Sequence, residues 1–204
     1  LRKSWSQARK RPTQERSRAT YEALVEAAAQ VFVRDGYAAA TTEAVAERAG
    51  VSIGSLYQYF PNKESLLVTL AGRHIDEGNE RLAAALSGAV GRPLRALLTD
   101  VVEALIALHH DRPALHRIVF EEAPFPPDLR DRMDTNRAVF LGVVEALLAA
   151  HPDAAPASRT RAFVVMSAVE GVIHESVHRG CAGLDVATLR DELVDMVHHL
   201  ITRP

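Results

Sequence analysis

Residues 41–67 read TTEAVAERAGVSIGSLYQYFPNKESLL, a short helical run, a tight turn and a second short helical run whose outward side carries almost nothing larger than a hydroxyl. Gly50 stops the first run, Val51 fills the turn, and Ser52 offers a side-chain oxygen to cap the second run, as helix-turn-helix geometry requires. In the second run Ile53, Leu56 and Phe60 recur at helical spacing and are expected to face inward, which leaves Ser52, Gly54, Ser55, Gln58 and Tyr59 outward or lateral. A glycine inside a helix costs about 1 kcal/mol against alanine, so Gly54 marks a place where another surface must come close. A base edge or a phosphate fits such a small, uncharged face.

On these residues the chain resembles the TetR family of bacterial transcriptional regulators. The likeness is carried by Gly36-Tyr37, by Thr41-Thr42, by Ala49-Gly50-Val51-Ser52, and by the run from Leu56 to Leu66. It covers roughly the first third of the chain; the remainder resembles the family only in length, helicity and position. The resemblance implies a homodimer that binds a palindromic operator on double-stranded DNA with this unit and releases it when a small molecule enters the other domain. It also implies that Lys63 binds a phosphate, that Thr42 contacts the DNA backbone, and that helices 4 to 7 enclose an effector pocket.

A chain of 204 residues, 48% hydrophobic and 25% charged, has the make-up of an ordinary globular protein of one domain or two small ones. No apolar run approaches the roughly 18 residues of a membrane span, and none follows the basic start as in a signal peptide, so no membrane partner and a cytoplasmic setting are expected. The lone Cys181 allows no internal disulfide and fits a reducing compartment. Net charge is only −2, yet residues 1–63 hold ten Lys/Arg against six Asp/Glu and the remainder fourteen against twenty. The basic excess peaks in residues 1–18, where Arg2, Lys3, Arg9, Lys10, Arg11, Arg16 and Arg18 face only Glu15. This stretch reads as a flexible arm that neutralises phosphates or enters the minor groove.

The helical pattern predicts an all-α fold: a three-helix helix-turn-helix head over 19–61, then a helical ligand-binding and dimerisation domain over 62–204. Helix 1 is expected from about Thr13 to Arg34 with Gly36 beyond its end, helix 2 from about Thr42 to Ala49, and helix 4 from Asn62, its cap, to about Leu86. Breaks at 91–93, 111–113, 124–127 and 151–156 divide the rest into helical blocks, the last over about 157–179 and 185–202. Val169, Ile173 and Val177 on the first of these, with Leu189, Leu193, Met196, Val197 and Leu200 on the second, form apolar stripes expected to build a four-helix dimer interface.

Lys63 lies in the first turn of helix 4, where the dipole disfavours a cation unless an anion intervenes. Tyr57 and Tyr59 offer hydroxyls, while Ser52, Ser55, Gln58 and Thr41 are the candidates for base reading, with glutamine suited to adenine. Apolar faces and position nominate Leu70, His74, Leu97, Val101, Leu105, His109, His116, Phe120, Met133, Phe140, Phe163 and Met166 for the pocket, which suggests a small hydrophobic or amphipathic effector. His174 and His178 are four apart, but no cysteine or acidic cluster completes a metal-ligand spacing, and no phosphate loop or nucleophile elbow is present; neither metal, cofactor nor enzymatic activity is expected. An activator of the same family, or a helical small-molecule binder without an operator, are the other readings.

Overall fold

The computed structural model describes residues 15–89, 91–124, 126–156, 158–178 and 184–203; most of the basic arm and Cys181 lie outside them. The described residues form α1 (Glu15–Ala39), α2 (Thr42–Arg48), α3 (Ile53–Tyr59), α4 (Lys63–Ala85), α5 (Leu94–His110), α6 (Pro113–Arg117), a π-helical turn (Ile118–Glu122), α7 (Pro127–Ala150), α8 (Arg159–His178) and α9 (Val186–Thr202), with no strand among them. No described helix is long and apolar enough to cross a membrane. The chain forms two compact units, one running to Ile75 and taking in Ala114–Met133, the other comprising Asp76–Pro113 and the residues from Asp134 onward.

In the first unit, α1 buries Leu24, Ala28, Val31 and Phe32, the stripe its spacing predicts. Gly36 adopts φ 74°, a left-handed conformation that glycine enters without steric cost, so the helix kinks there and the following turn brings Tyr37 edge-on to Phe32 at 5.4 Å. Gly50 does the same service after α2, at φ 68°. Val45, Leu56, Phe60, Leu66 and Leu67 close the core, together with Ile118, Val119 and Leu129. The first core is therefore larger than the expected 19–61 head. Arg16 and Arg18 stand on the first turn of α1, not in an arm, and both are exposed.

The second unit packs α5, α8 and α9 around Val102, Ile106, Ala162, Val165, Ile173, Leu193, Val194 and Ile201. Asp185 caps α9, accepting from the Thr188 hydroxyl at 2.8 Å and the Thr188 N–H at 2.9 Å, which hold its carboxyl below the usual range. One expectation changes here. Val169, Ile173, Leu193 and Val197 are buried within the single chain, so they hold the subunit's own core and are not available to a partner; Val177, Leu189, Met196 and Leu200 are half-buried. On these helices the open apolar side chains are instead Phe163, Val164 and Val172 of α8 and Val186 of α9, with Leu184 just before it; Val139 and Val143 on α7 are open as well. A helix apolar on all sides offers no sequence signal for which side faces inward.

Candidate functional site

The head presents α3 as expected at its start. Ser52 caps the helix, its Oγ accepting the Ser55 N–H at 3.1 Å and lying 2.9 Å from the Ser55 hydroxyl. Ser52, Gly54 and Gln58 are exposed and Ser55 is half-buried. A Cβ built on Gly54 would meet nothing closer than the Ser52 Oγ at 3.9 Å, so no contact among the described residues requires a glycine at this position. The exposed surface along α3 is free of formal charge and, apart from Ile53 and Tyr57, carries only Gly54 and Gln58 beside the capping Ser52.

One aromatic assignment changes. Tyr59 is 8% exposed, its ring edge-on to Tyr21 and its hydroxyl 2.9 Å from Ser17 Oγ, because position 59 follows Leu56 by one helical turn and falls on the core stripe. Tyr57 is the open one, 39% exposed, with its hydroxyl 3.1 Å from Thr42 Oγ1. Ile53, expected inward, opens α3 and is 37% exposed. Thr41 caps α2, accepting the Ala44 N–H at 3.1 Å, and Thr42, the first residue of the helix, carries the hydroxyl facing Tyr57.

Lys63 is engaged otherwise than expected. Its Nζ donates to the carbonyls of Tyr37 at 2.6 Å, Ala38 at 3.2 Å and Ala40 at 2.9 Å, and lies 4.5 Å from the Tyr37 ring centroid. An ammonium has three donors, so the hydrogen-bond capacity expected to serve a phosphate is taken up by the carbonyls that follow the Gly36 kink. The unfavourable position at the start of α4 is explained by those carbonyls, which carry the negative end of a helix dipole. Asn62 caps α4 as expected, accepting the Ser65 N–H at 2.8 Å.

An apolar cavity of about 610 Å³ lies within the second unit. Leu97, Val101, Leu105, Phe140 and Met166 line it, as expected. The wall also includes Leu82, Leu98, Val144, Leu148, Val165 and Ile201, and two residues assigned to the dimer, Val169 and Val197. The other pocket candidates lie elsewhere. Leu70, His74, His116, Phe120 and Met133 belong to the first unit, where the rings of His74, His116 and Phe120 lie 4.7–5.1 Å apart. His109 is buried with Nδ1 donating to the Leu105 carbonyl at 2.7 Å and its ring 4.9 Å from His174, outside the cavity wall. Phe163 is 49% exposed, with the Arg137 guanidinium 5.7 Å above its ring.

The charged side chains of the wall are Arg92, Asp153 and Glu170, joined by His151. Burial pushes the Glu170 carboxyl above its usual range, while Arg137, donating to it at 3.0 Å, pulls the other way. Nothing in composition flags Glu170. Its only sequence signal is an acid amid the apolar run of α8.

A helix-turn-helix head with an open second helix, followed by a helical unit that holds an apolar cavity, defines a class of two-part helix-turn-helix proteins. Residues 24–70 match the family model of bacterial regulatory proteins of the tetR family, and residues 93–200 match that of the tetracyclin repressor-like C-terminal domain. The chain belongs to the TetR family. Among its relatives is the HTH-type transcriptional repressor KstR of Mycolicibacterium smegmatis, 43% identical over 77 residues; the match spans 36% of this chain and 36% of that repressor's length. A regulatory protein of the tetR family from Rhodococcus RHA1 has a similar structure, with TM-score 0.72 at 21% identity over 93% of this chain and 98% of that one. The transcriptional regulator FadR of Bacillus subtilis, solved in complex with stearoyl-CoA, aligns with TM-score 0.70 at 20% identity, covering 89% of this chain and 99% of its own.

Proposed function

We propose that this chain is a transcriptional repressor that binds a palindromic operator as a homodimer and releases it when a small, largely apolar effector fills the cavity of the second unit. The observation that carries this reading is the outward face of α3, where Ser52, Gly54, Tyr57 and Gln58 are open to solvent while Leu56, Tyr59 and Phe60 anchor the helix below. Gln58 and Ser55 are assigned to base edges, Tyr57 and Thr42 to the backbone, and Arg16 and Arg18 to neighbouring phosphates. Lys63 acts indirectly, by holding the turn that presents Thr41 and Thr42.

The second copy is expected on the side of α8 that carries the exposed Phe163 and Val164, since adjacent exposed apolar side chains mark an interaction site. A two-fold dimer then sets its recognition helices about 34 to 36 Å apart, or a multiple of that, to reach successive major grooves. The relative FadR holds stearoyl-CoA, and the cavity here is likewise suited to an apolar chain. Release requires that the effector bind the DNA-competent and released states with different affinity; α4 is the assigned element, because its residues belong to both units.

Selection of bound duplexes from a random pool, followed by anisotropy titration at several salt concentrations, tests the reading. Enrichment of a palindrome and a steep fall of affinity with salt are expected. Absence of both enrichment and salt-dependent binding contradicts it.

A further inference from the structure

Among the described residues, three of the four polar side chains of the cavity wall are engaged within the chain and the fourth, Asp153, faces solvent. Arg92 donates to the Asp100 carboxylate at 2.6 Å, and the Glu170 carboxylate accepts from Arg137 at 3.0 Å. His151 uses both ring nitrogens, Nε2 at 3.1 Å from the Arg92 carbonyl and Nδ1 receiving the Asp153 N–H at 3.3 Å. The Asp153 side chain is 66% exposed and solvated. Of the three charged wall residues two are acids, and the sole cation among them is already paired. The other described side chains of the wall are aliphatic or aromatic, together with the thioether of Met166.

An anion carried into so apolar a space loses much of its hydration and meets only one wall cation, Arg92, already paired with Asp100, whereas a hydroxyl, ester or ketone loses far less and can still meet one hydrogen-bonding group. An anion meets a further penalty here, because Glu170 already places a carboxylate at the wall. Resting on the effector reading above, we infer that the cavity selects an uncharged, mostly apolar molecule over a chain of the same length ending in a buried anion, and that Glu170 sets this choice. Arg137 is the complementary group: its guanidinium also donates to Ser167 Oγ at 3.1 Å, so it stays in place when Glu170 is altered.

Decanoate, 1-decanol and methyl decanoate share a similar chain and differ in head group. Their displacement of an environment-sensitive apolar dye from the full chain at neutral pH isolates the effect of the head. The two neutral ligands are expected to act at concentrations about tenfold or more below decanoate. In Glu170→Gln the gap should narrow by about threefold or more, because the wall loses its acid and Arg137 its partner. Glu170 is partly exposed and the substitution nearly isosteric, so folding is not at stake, and a melting curve of the variant verifies that. Decanoate binding as well as the neutral ligands would overturn the selection while leaving the effector reading standing. A gap of unchanged size in Glu170→Gln would overturn the role of Glu170. Failure of all three ligands to displace the dye in a saturable manner would overturn the effector reading and the selection together.

Discussion

Lys63 engages its ammonium with three backbone carbonyls in the turn that follows Gly36. Methionine retains the stem and removes the donors, and hydrogen bonds from a charged donor contribute about 1.5–3 kcal/mol. Lys63→Met is therefore expected to lower unfolding free energy by about 2 kcal/mol in a denaturant melt while leaving the slope of DNA affinity against salt as it was. Loss of about one charge from that slope at unaltered stability would restore a direct phosphate contact. Gly54 gives the opposite pattern. No neighbour among the described residues obstructs a methyl group there, so Gly54→Ala should hold or raise stability, by up to about 1 kcal/mol of helix propensity, yet weaken DNA binding by about tenfold through a clash at the groove. Unweakened binding would remove Gly54 from the contact surface. Glu170, its carboxyl pushed up by burial, supplies a pH test. A raised folded-state value means that the folded chain holds the proton more tightly, so this contribution to stability is full below the ordinary carboxylate range and is lost as pH rises through the raised value. The melting temperature of Glu170→Gln relative to the parent should therefore climb with pH across that window; a relative decline would contradict the burial.

Among the elements, α3 is short and depends on its cap. Ser52→Asp keeps an acceptor for the Ser55 N–H and adds a charge that the helix N-terminus favours, so stability should stay within about 0.5 kcal/mol of the parent. The same charge faces DNA phosphates, and binding should collapse. Retained binding at retained stability would place the DNA elsewhere. Elements of this kind are legible in the sequence because their determinants are local: Gly36 and Gly50 at turns, Ser52 and Asn62 at caps, and Leu56 and Phe60 on one stripe all occupy their anticipated places. Tyr59 departs from its expected outward position because the stripe of a two-turn helix is wide enough to include position 59 as well as 60. The apolar helices are harder to read. On α8, Val169 and Phe163 look alike in the sequence, yet one is buried and the other open, and only packing by α5 and α9 separates them. Likewise Ile118, Val119 and Leu129, distant in sequence, complete the core around α1, which no local pattern announces.

For the whole molecule, assembly and regulation are the quantities at stake. Phe163→Asp puts a charge into the assigned partner surface without touching either buried core, so the subunit should keep its melting profile at high dilution while sedimentation shows a shift from dimer to monomer and DNA affinity falls with it. A dimer that persists in that variant would move the interface elsewhere. Five of the cavity's lining residues are readable from apolar periodicity, whereas its polar wall, assembled from Arg92, His151, Asp153 and Glu170 on separate stretches, requires the fold. The claim on which the rest depends is that DNA rests on the open face of α3. Hydrogen exchange of the full chain with and without a selected duplex reads that surface directly: protection concentrated over residues 41–59, relieved when a cavity ligand is added, is the expected result, and exchange over α3 that is indifferent to bound DNA would contradict the claim.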